Sequence, residues 1–442
     1  MISFLSALVL VPSILYSISK SRYYAILLMA LFYYTLSINE ASIEAAYGTR
    51  VLYAGMLFLF ACNVLFCVFL YLLGGWLLPR GSSYRKLVFD EQAWKRLFFL
   101  VTGIFVIIAL IKARNGLDFL MLNWSEQRSE GLTLLDGVSN LLGLVAFSLA
   151  PVFYKSRIRF VLLVLCCLGV FMVTGSRAML FCLGGYFYYE LFLSDRISFS
   201  RRLYVLLGGA VAALSMHVLS RAARGIGLSA MLSMDFSSLL DAIGSSVDGG
   251  GLFGGEDNIM KYYFYIVHKY LEGWSAGPMP TLHRALLILL PRELADIPLK
   301  PLDVTYQVWT AALNDGLFND NPWLTEMIDS SHQGIPGSLH FLIWGDALLN
   351  AGWFGALLYP LLFAFLLTVF ESLLQRAPPA MTAILLGLGL PALLMIARGN
   401  IVIGLGYIIY PLPLIYLICR LMEWTARGAP HWQKTDNNKN EI

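Results

Sequence analysis

Long apolar runs separated by short charged connectors set the rhythm of this chain. Eleven runs predict spanning helices, at residues 2–18, 23–38, 51–78, 97–112, 132–154, 160–175, 178–194, 204–219, 350–373, 380–397 and 401–419. Runs near 20 apolar residues are what a helix needs to cross the hydrocarbon core of a bilayer. The rhythm fails once, over Arg221–Ser338, a stretch too polar to lie in a membrane. The predicted fold class is therefore an all-α polytopic membrane protein with one large loop. Its parts are an N-terminal bundle of about eight spans (1–219), the loop (220–338), a C-terminal bundle of about three spans (339–419) and a polar tail (420–442).

The loop carries its own helical pattern. Asp257–Trp274 reads as a capped, aromatic-rich helix lying on the membrane interface. Thr281–Leu290 predicts a second helix, ended by Pro291. The glycines and serines between Phe236 and Gly255 predict a mobile loop, and Pro336–Asn350 an apolar helix leading into the ninth span.

Composition agrees with this division. Of 442 residues, 58% are hydrophobic and 13% charged, and a soluble domain carries roughly twice that charged fraction. A net charge of +3 is too small to point to nucleic acid. All six cysteines lie inside apolar runs with no zinc-like spacing, so neither a disulfide framework nor a metal site is expected. Met1-Ile2-Ser3-Phe4 lacks the basic start of a cleaved signal peptide, and the first helix is expected to be retained.

The positive charges matter by position. Connectors bearing Lys20 and Arg22, Arg80 to Arg96, Lys155 to Arg159, Arg196 to Arg202, and Arg376 alternate with poorer ones. The rich set is expected on the cytoplasmic side. That puts the N-terminus and the large loop outside, and the C-terminus inside.

Arginines on the outer side run against this bias and call for a reason. They are Arg177 after span six, Arg221 and Arg224 after span eight, Arg292 in the loop, and Arg398 between spans ten and eleven. Two readings are open. They converge on an anionic head group, whose oxygens match guanidinium forks, or each snorkels to lipid phosphate. Beside them lie His332, His340 and Asp346. A histidine there can act as general base on a hydroxyl, or be a hydrogen-bonded interfacial residue. Asp346 is set among apolar residues and needs a partner, so structural pairing stands beside catalysis.

Leu290-Pro291-Arg292 leading to Lys300-Pro301, and Gly345-Asp346-Ala347-Leu348-Leu349-Asn350-Ala351-Gly352-Trp353-Phe354-Gly355, resemble signature stretches of the O-antigen and oligosaccharide repeat-unit polymerases. In that family the second stretch often has glutamate where Asp346 stands. The span layout extends the resemblance over most of the chain. It implies a multi-pass bacterial inner-membrane enzyme, similar to the GT-C glycosyltransferases. Such enzymes join oligosaccharide units carried on undecaprenyl diphosphate at the periplasmic face. They use no metal and no other cofactor; the implied partners are lipid-linked oligosaccharide, membrane lipids and a chain-length regulator.

On this reading His332 is the first choice as base, with Asp346 and His340 behind it. Arg177, Arg221, Arg224 and Arg398 bind the diphosphate, with Arg292 in reserve. Two rivals are an O-antigen ligase, which passes the same donor to the lipid A core, and a lipid-linked sugar transporter. A transporter calls for charges inside spans and paired halves. The chain offers few intramembrane charges (Asp136, Glu190 and Asp346) and no repeated halves.

Overall fold

The computed structural model describes residues 2–20, 22–78, 91–113, 134–150, 258–277, 279–288, 304–317, 340–377, 379–413 and 415–417, with scattered residues between 158 and 241. Regular structure among them is helical throughout. The first half holds α1 (Ile2–Leu8), α2 (Leu10–Ser19), α3 (Ala25–Leu36), α4 (Glu40–Tyr47), α5 (Thr49–Leu77), α6 (Glu91–Ala113) and α7 (Leu134–Leu149). The loop region holds α8 (Asn258–Leu271), α9 (Pro280–Leu286) and α10 (Val304–Asn314). The C-terminal part holds α11 (Leu342–Ala351), α12 (Gly355–Arg376), α13 (Pro379–Ala397) and α14 (Ile401–Ile409).

Two helical stretches among the described residues, Thr49–Leu77 and Leu342–Arg376, are long and apolar enough to cross a membrane. A third results if α3 and α4, bent by 65°, count as one broken span. The chain is an α-helical membrane protein, but the eleven predicted spans are not what these residues show. Predicted spans 160–175, 178–194 and 204–219 lie largely outside the described residues. Of the other runs, 2–18 breaks into α1 and α2 and 23–38 shortens to α3, whereas 51–78, 97–112 and 380–397 form helices at least as long as predicted; where breaks occur, single residues set them. Asn39 caps α4 by accepting from the Ser42 N–H at 3.1 Å. Gly48 and Gly399, at φ +85 and +81, turn the chain ahead of α5 and α14.

The Leu342–Arg376 stretch is itself not one rod. In a straight helix the 13 residues from Asp346 to Tyr359 would rise about 20 Å. Instead the Tyr359 hydroxyl donates to Asp346 Oδ2 at 2.7 Å. The chain therefore reverses at Gly352–Phe354, and α11 folds back along the first turns of α12. The predicted helix leading into span nine is a limb packed back on α12. Gly355 permits the reversal: a β-carbon there would strike the Ala347 carbonyl, lying 2.7 Å from its carbon.

Packing centres on α5 and α12, which run side by side. At 22 residues α12 is about 33 Å long, enough for the hydrocarbon core. Trp344 of α11 is wholly buried beside α5, edge-on to Phe66 at 5.5 Å. Its indole N–H donates to Asn63 Oδ1 at 2.9 Å, while Asn63 Nδ2 donates to the Ser6 carbonyl at 3.3 Å. One buried amide thus ties α1, α5 and α11, the usual role of asparagine between membrane helices.

The charged connectors sort by end. The Tyr23 N–H, next to Arg22, donates to Glu371 Oε2 at 3.0 Å, five residues before Arg376. Tyr24 also approaches Gly74 near the end of α5. The Lys20–Arg22 and Arg376 connectors, predicted to share a face, lie at one end of the bundle.

The predicted interfacial helix forms as α8, but its apolar face meets protein. Phe264 packs on Gly55, and the Tyr263 hydroxyl donates to the Gly55 carbonyl at 2.7 Å. On its other side an ionic latch joins α8 to the end of α10. Lys269 Nζ lies 3.0 Å from Asp315 Oδ2 and 3.3 Å from Glu272 Oε2, and the Tyr265 hydroxyl donates to Asp315 at 2.7 Å.

Gly355→Ala is expected to lower stability by at least about 2 kcal/mol, since backbone must move. Gly75→Ala, where the new methyl meets nothing within 4 Å, is neutral or slightly stabilising. Thermal unfolding of the two variants in detergent separates them. The latch carries a pH prediction. Asp315 is held below the usual carboxyl range, first by Tyr265 and then by Lys269; Lys269 is raised, chiefly by Asp315. A lowered carboxyl stabilises above its unfolded value of about 4 and loses that contribution as pH falls through the folded value. The raised lysine contributes below its unfolded value of about 10.4 and loses it as pH rises through its folded value. Amide exchange in α8 and α10, corrected for intrinsic rate, is expected to accelerate on acidification below about pH 4, and Asp315→Asn to abolish that step.

Candidate functional site

Asp346 and Asn350 lie one turn apart on α11 and so share a face. Both are buried, Asp346 to 1% exposure. Asp346 Oδ1 accepts from the Thr281 hydroxyl at 2.6 Å and Oδ2 from Tyr359. Asn350 Oδ1 accepts from the backbone N–H groups of Thr281 and Leu282, at 2.9 and 3.2 Å. Its Nδ2 donates to the Asp346 carbonyl at 2.8 Å, which holds the amide in that orientation. The first turn of α9 has no cap of its own, Met279 being left-handed at φ +45. A neighbouring helix therefore supplies the acceptor that helix starts require. The glycines of the same stretch serve close packing, since a β-carbon on Gly352 would strike the Tyr270 hydroxyl.

At the start of α11 the chain meets the connector between α13 and α14. The Phe341 N–H donates to the Arg398 carbonyl at 3.0 Å, so His340 and Arg398 come together from distant parts of the sequence. The junction is tight. Leu342 is left-handed at φ +63, and a β-carbon on Gly399 would lie 2.7 Å from the Leu342 carbonyl oxygen. His340 and Arg398 are half-buried, with Nδ1 and Nε removed from solvent. Asn400 is 1% exposed; its Oδ1 caps α14 through the Ile403 N–H at 3.3 Å. Its Nδ2 finds no hydrogen-bond partner among the described residues. The junction thus brings the backbone beside His340 against that of Arg398, two residues before the buried Asn400 amide.

Among the predicted site residues, the structure brings the backbone next to His340 against Arg398 and places Asp346 on the helix that starts beside them. Asp346 is engaged by two hydroxyls, which favours structural pairing over the role of base. His332, Arg177, Arg221, Arg224 and Arg292 lie outside the described residues. Arg284, half-buried on α9, is a further cation of this region that the sequence reading passed over. Its helix packs against α14, past whose end the Tyr410 hydroxyl donates to the Ile288 carbonyl at 2.6 Å. The signal available was its place on the predicted outer helix; no proline or glycine turn marks it as in the other cases. Among the described residues no cluster of His, Cys, Asp and Glu is arranged to hold a metal ion. No family model, curated protein or solved structure matches this chain.

Asn350→Ala removes the acceptor of two buried N–H groups and is expected to cost about 1–3 kcal/mol. The start of α9 then frays, and tryptic cleavage after Arg284 accelerates relative to the parent protein.

Proposed function

We propose that the chain is an O-antigen polymerase: a multi-pass inner-membrane glycosyltransferase that joins undecaprenyl-diphosphate-linked repeat units at the periplasmic face. The observation that carries this reading is the junction of His340 with Arg398, beside the buried Asn400 amide. Such a junction supports a base and an anion-binding group acting together. The finer architecture belongs to the same proposal: eleven spans in a GT-C-like arrangement, the large loop periplasmic and the C-terminus cytoplasmic.

In the proposed reaction a histidine, His332 or His340, removes the proton from an acceptor hydroxyl. The hydroxyl oxygen attacks the anomeric carbon of the donor, and the bond from that carbon to the diphosphate oxygen breaks with inversion. Negative charge builds on the departing diphosphate, where Arg398 with Arg177, Arg221 and Arg224 offsets it, Arg292 standing in reserve. Guanidinium groups suit this task because they stay charged throughout turnover. Asp346 serves to hold the framework.

Arg398→Ala is expected to lower polymer formation about 10²- to 10³-fold, and loss of the base about 10²- to 10⁴-fold. The measurement is the lipopolysaccharide ladder of cells carrying each variant, expression being matched. Loss of a polymerase leaves core capped by a single repeat unit. Bare core with polymer stranded on its carrier would instead identify a ligase. Full ladders from Arg398→Ala and from both histidine variants would reject the site.

A further inference from the structure

We infer that the first turn of α14 is a phosphate site: the Ile401 and Val402 N–H groups and Asn400 Nδ2 donate to a phosphoryl oxygen of a lipid-borne diphosphate. The inference rests on the proposed diphosphate-linked donor and names groups to which the reaction above gives no step.

The donors along the α13–α14 connector can be followed one by one. The N–H groups of Arg398, Gly399 and Asn400 donate to the carbonyls of Leu394, Ile396 and Met395, which closes the end of α13. Further on, Asn400 Oδ1 accepts from the Ile403 N–H and the Asn400 carbonyl from the Gly404 N–H at 2.9 Å. Between these, the Ile401 and Val402 N–H groups meet no acceptor among the described residues. They are the first two donors of a nine-residue helix, and helix geometry points both out of its N-terminus. Asn400 adds a third. With Oδ1 held on Ile403, Nδ2 of the same planar amide stays at this turn, and a flipped amide would set donor against donor. Asn400 is 1% exposed, and Nδ2 has no partner among the described residues.

Three donors thus gather at the positive end of a helix dipole, and the first turn of α14 carries no acidic residue of its own. Buried donors are costly to leave unpaired. Their complement is an anionic oxygen, and helix N-termini hold phosphate in this way. The surroundings favour a phosphate carried on a lipid. On two sides the turn is closed by protein: a β-carbon on Gly399 would meet the Leu342 carbonyl of α11, and one on Gly404 would meet Ile396 and the Ala392 carbonyl of α13. Another side is open, Val402 being half-buried and Ile403 41% exposed. Tyr410, seven residues on and so on the same face as Ile403, is 46% exposed. A head group seated on the turn would continue into an apolar chain lying along Ile403 and Tyr410.

The test is binding of farnesyl diphosphate, a short polyprenyl diphosphate, and of inorganic pyrophosphate to the full chain in nanodiscs. Serine caps a helix as well as asparagine does but has no amide to donate, so Asn400→Ser separates the two roles. It is expected to raise Kd for farnesyl diphosphate about 10- to 100-fold, the loss of one hydrogen bond to a charged group, with the unfolding midpoint unmoved. Asn400→Asp also caps, but it turns a carboxylate to the phosphate and is expected to weaken binding further. Should Asn400→Ser unfold early, Asn400→Asp decides, and parent-like affinity there overturns the inference. Tighter binding of farnesyl diphosphate than of pyrophosphate supports the lipid-borne ligand; equal affinities overturn that choice and assign the turn to free phosphate. Unchanged affinity in Asn400→Ser, with Arg398→Ala impaired, reduces Asn400 to a cap: the inference fails and the proposed donor site stands. Binding of neither ligand by the parent protein overturns both.

Discussion

A carboxylate cannot be left bare inside an apolar bundle. Moving it out of water costs several kcal/mol unless hydrogen bonds replace the lost hydration. Asp346 meets that demand with two hydroxyls from different elements, Thr281 of α9 and Tyr359 of α12. One buried side chain thus decides three relationships: where the loop helix docks, how far α11 folds back, and which turn of α12 it faces. Asn350 extends the grip to the backbone, supplying the acceptor that the start of α9 lacks.

The same constraint explains the shape of the folded-back limb. Backbone polar groups at membrane depth must be satisfied within the protein, and irregular chain survives there only when surrounded by it. The reversal at Gly352–Phe354 and the left-handed Leu342 both border α11, nine of whose residues are buried in succession. The Phe341 N–H, which precedes the helix, is satisfied by the Arg398 carbonyl. That bond joins the limb to the α13–α14 connector and brings His340 and Arg398 into one place. The chemistry proposed for the protein depends on this backbone pairing more than on any single side chain.

Polar contacts recur at each place where helices must hold one position. Asn63 joins α1, α5 and α11, Glu371 receives the chain ahead of α3, and Tyr263 hydrogen-bonds α5. Lipid tails are as apolar as leucine, so burial of apolar area discriminates little between arrangements of membrane helices. Close approach at glycines and a few directed hydrogen bonds do so instead. Gly55 against Phe264 and Gly355 against Ala347 show the first device at work.

Helical class, the placing of Lys20, Arg22 and Arg376 at one end, and the existence of α8 and α9 were legible in the sequence. They depend on local composition, periodicity and charge, which read along the chain. The family-like stretch from Gly345 to Gly355 was legible as a motif, but not as a clamp. Nothing in its spacing names Thr281, Leu282 or Tyr359 as partners. Hydropathy likewise could not show that α11 turns back, because a reversal at three residues leaves an apolar run apolar. Arg284 was overlooked because the docking of α9 on α14 leaves no mark in the local sequence. Sequence by itself determined which segments are helical and apolar. Only tertiary structure decided where they break and which distant residues meet, because those follow from hydrogen bonds between elements that the order of residues does not encode locally.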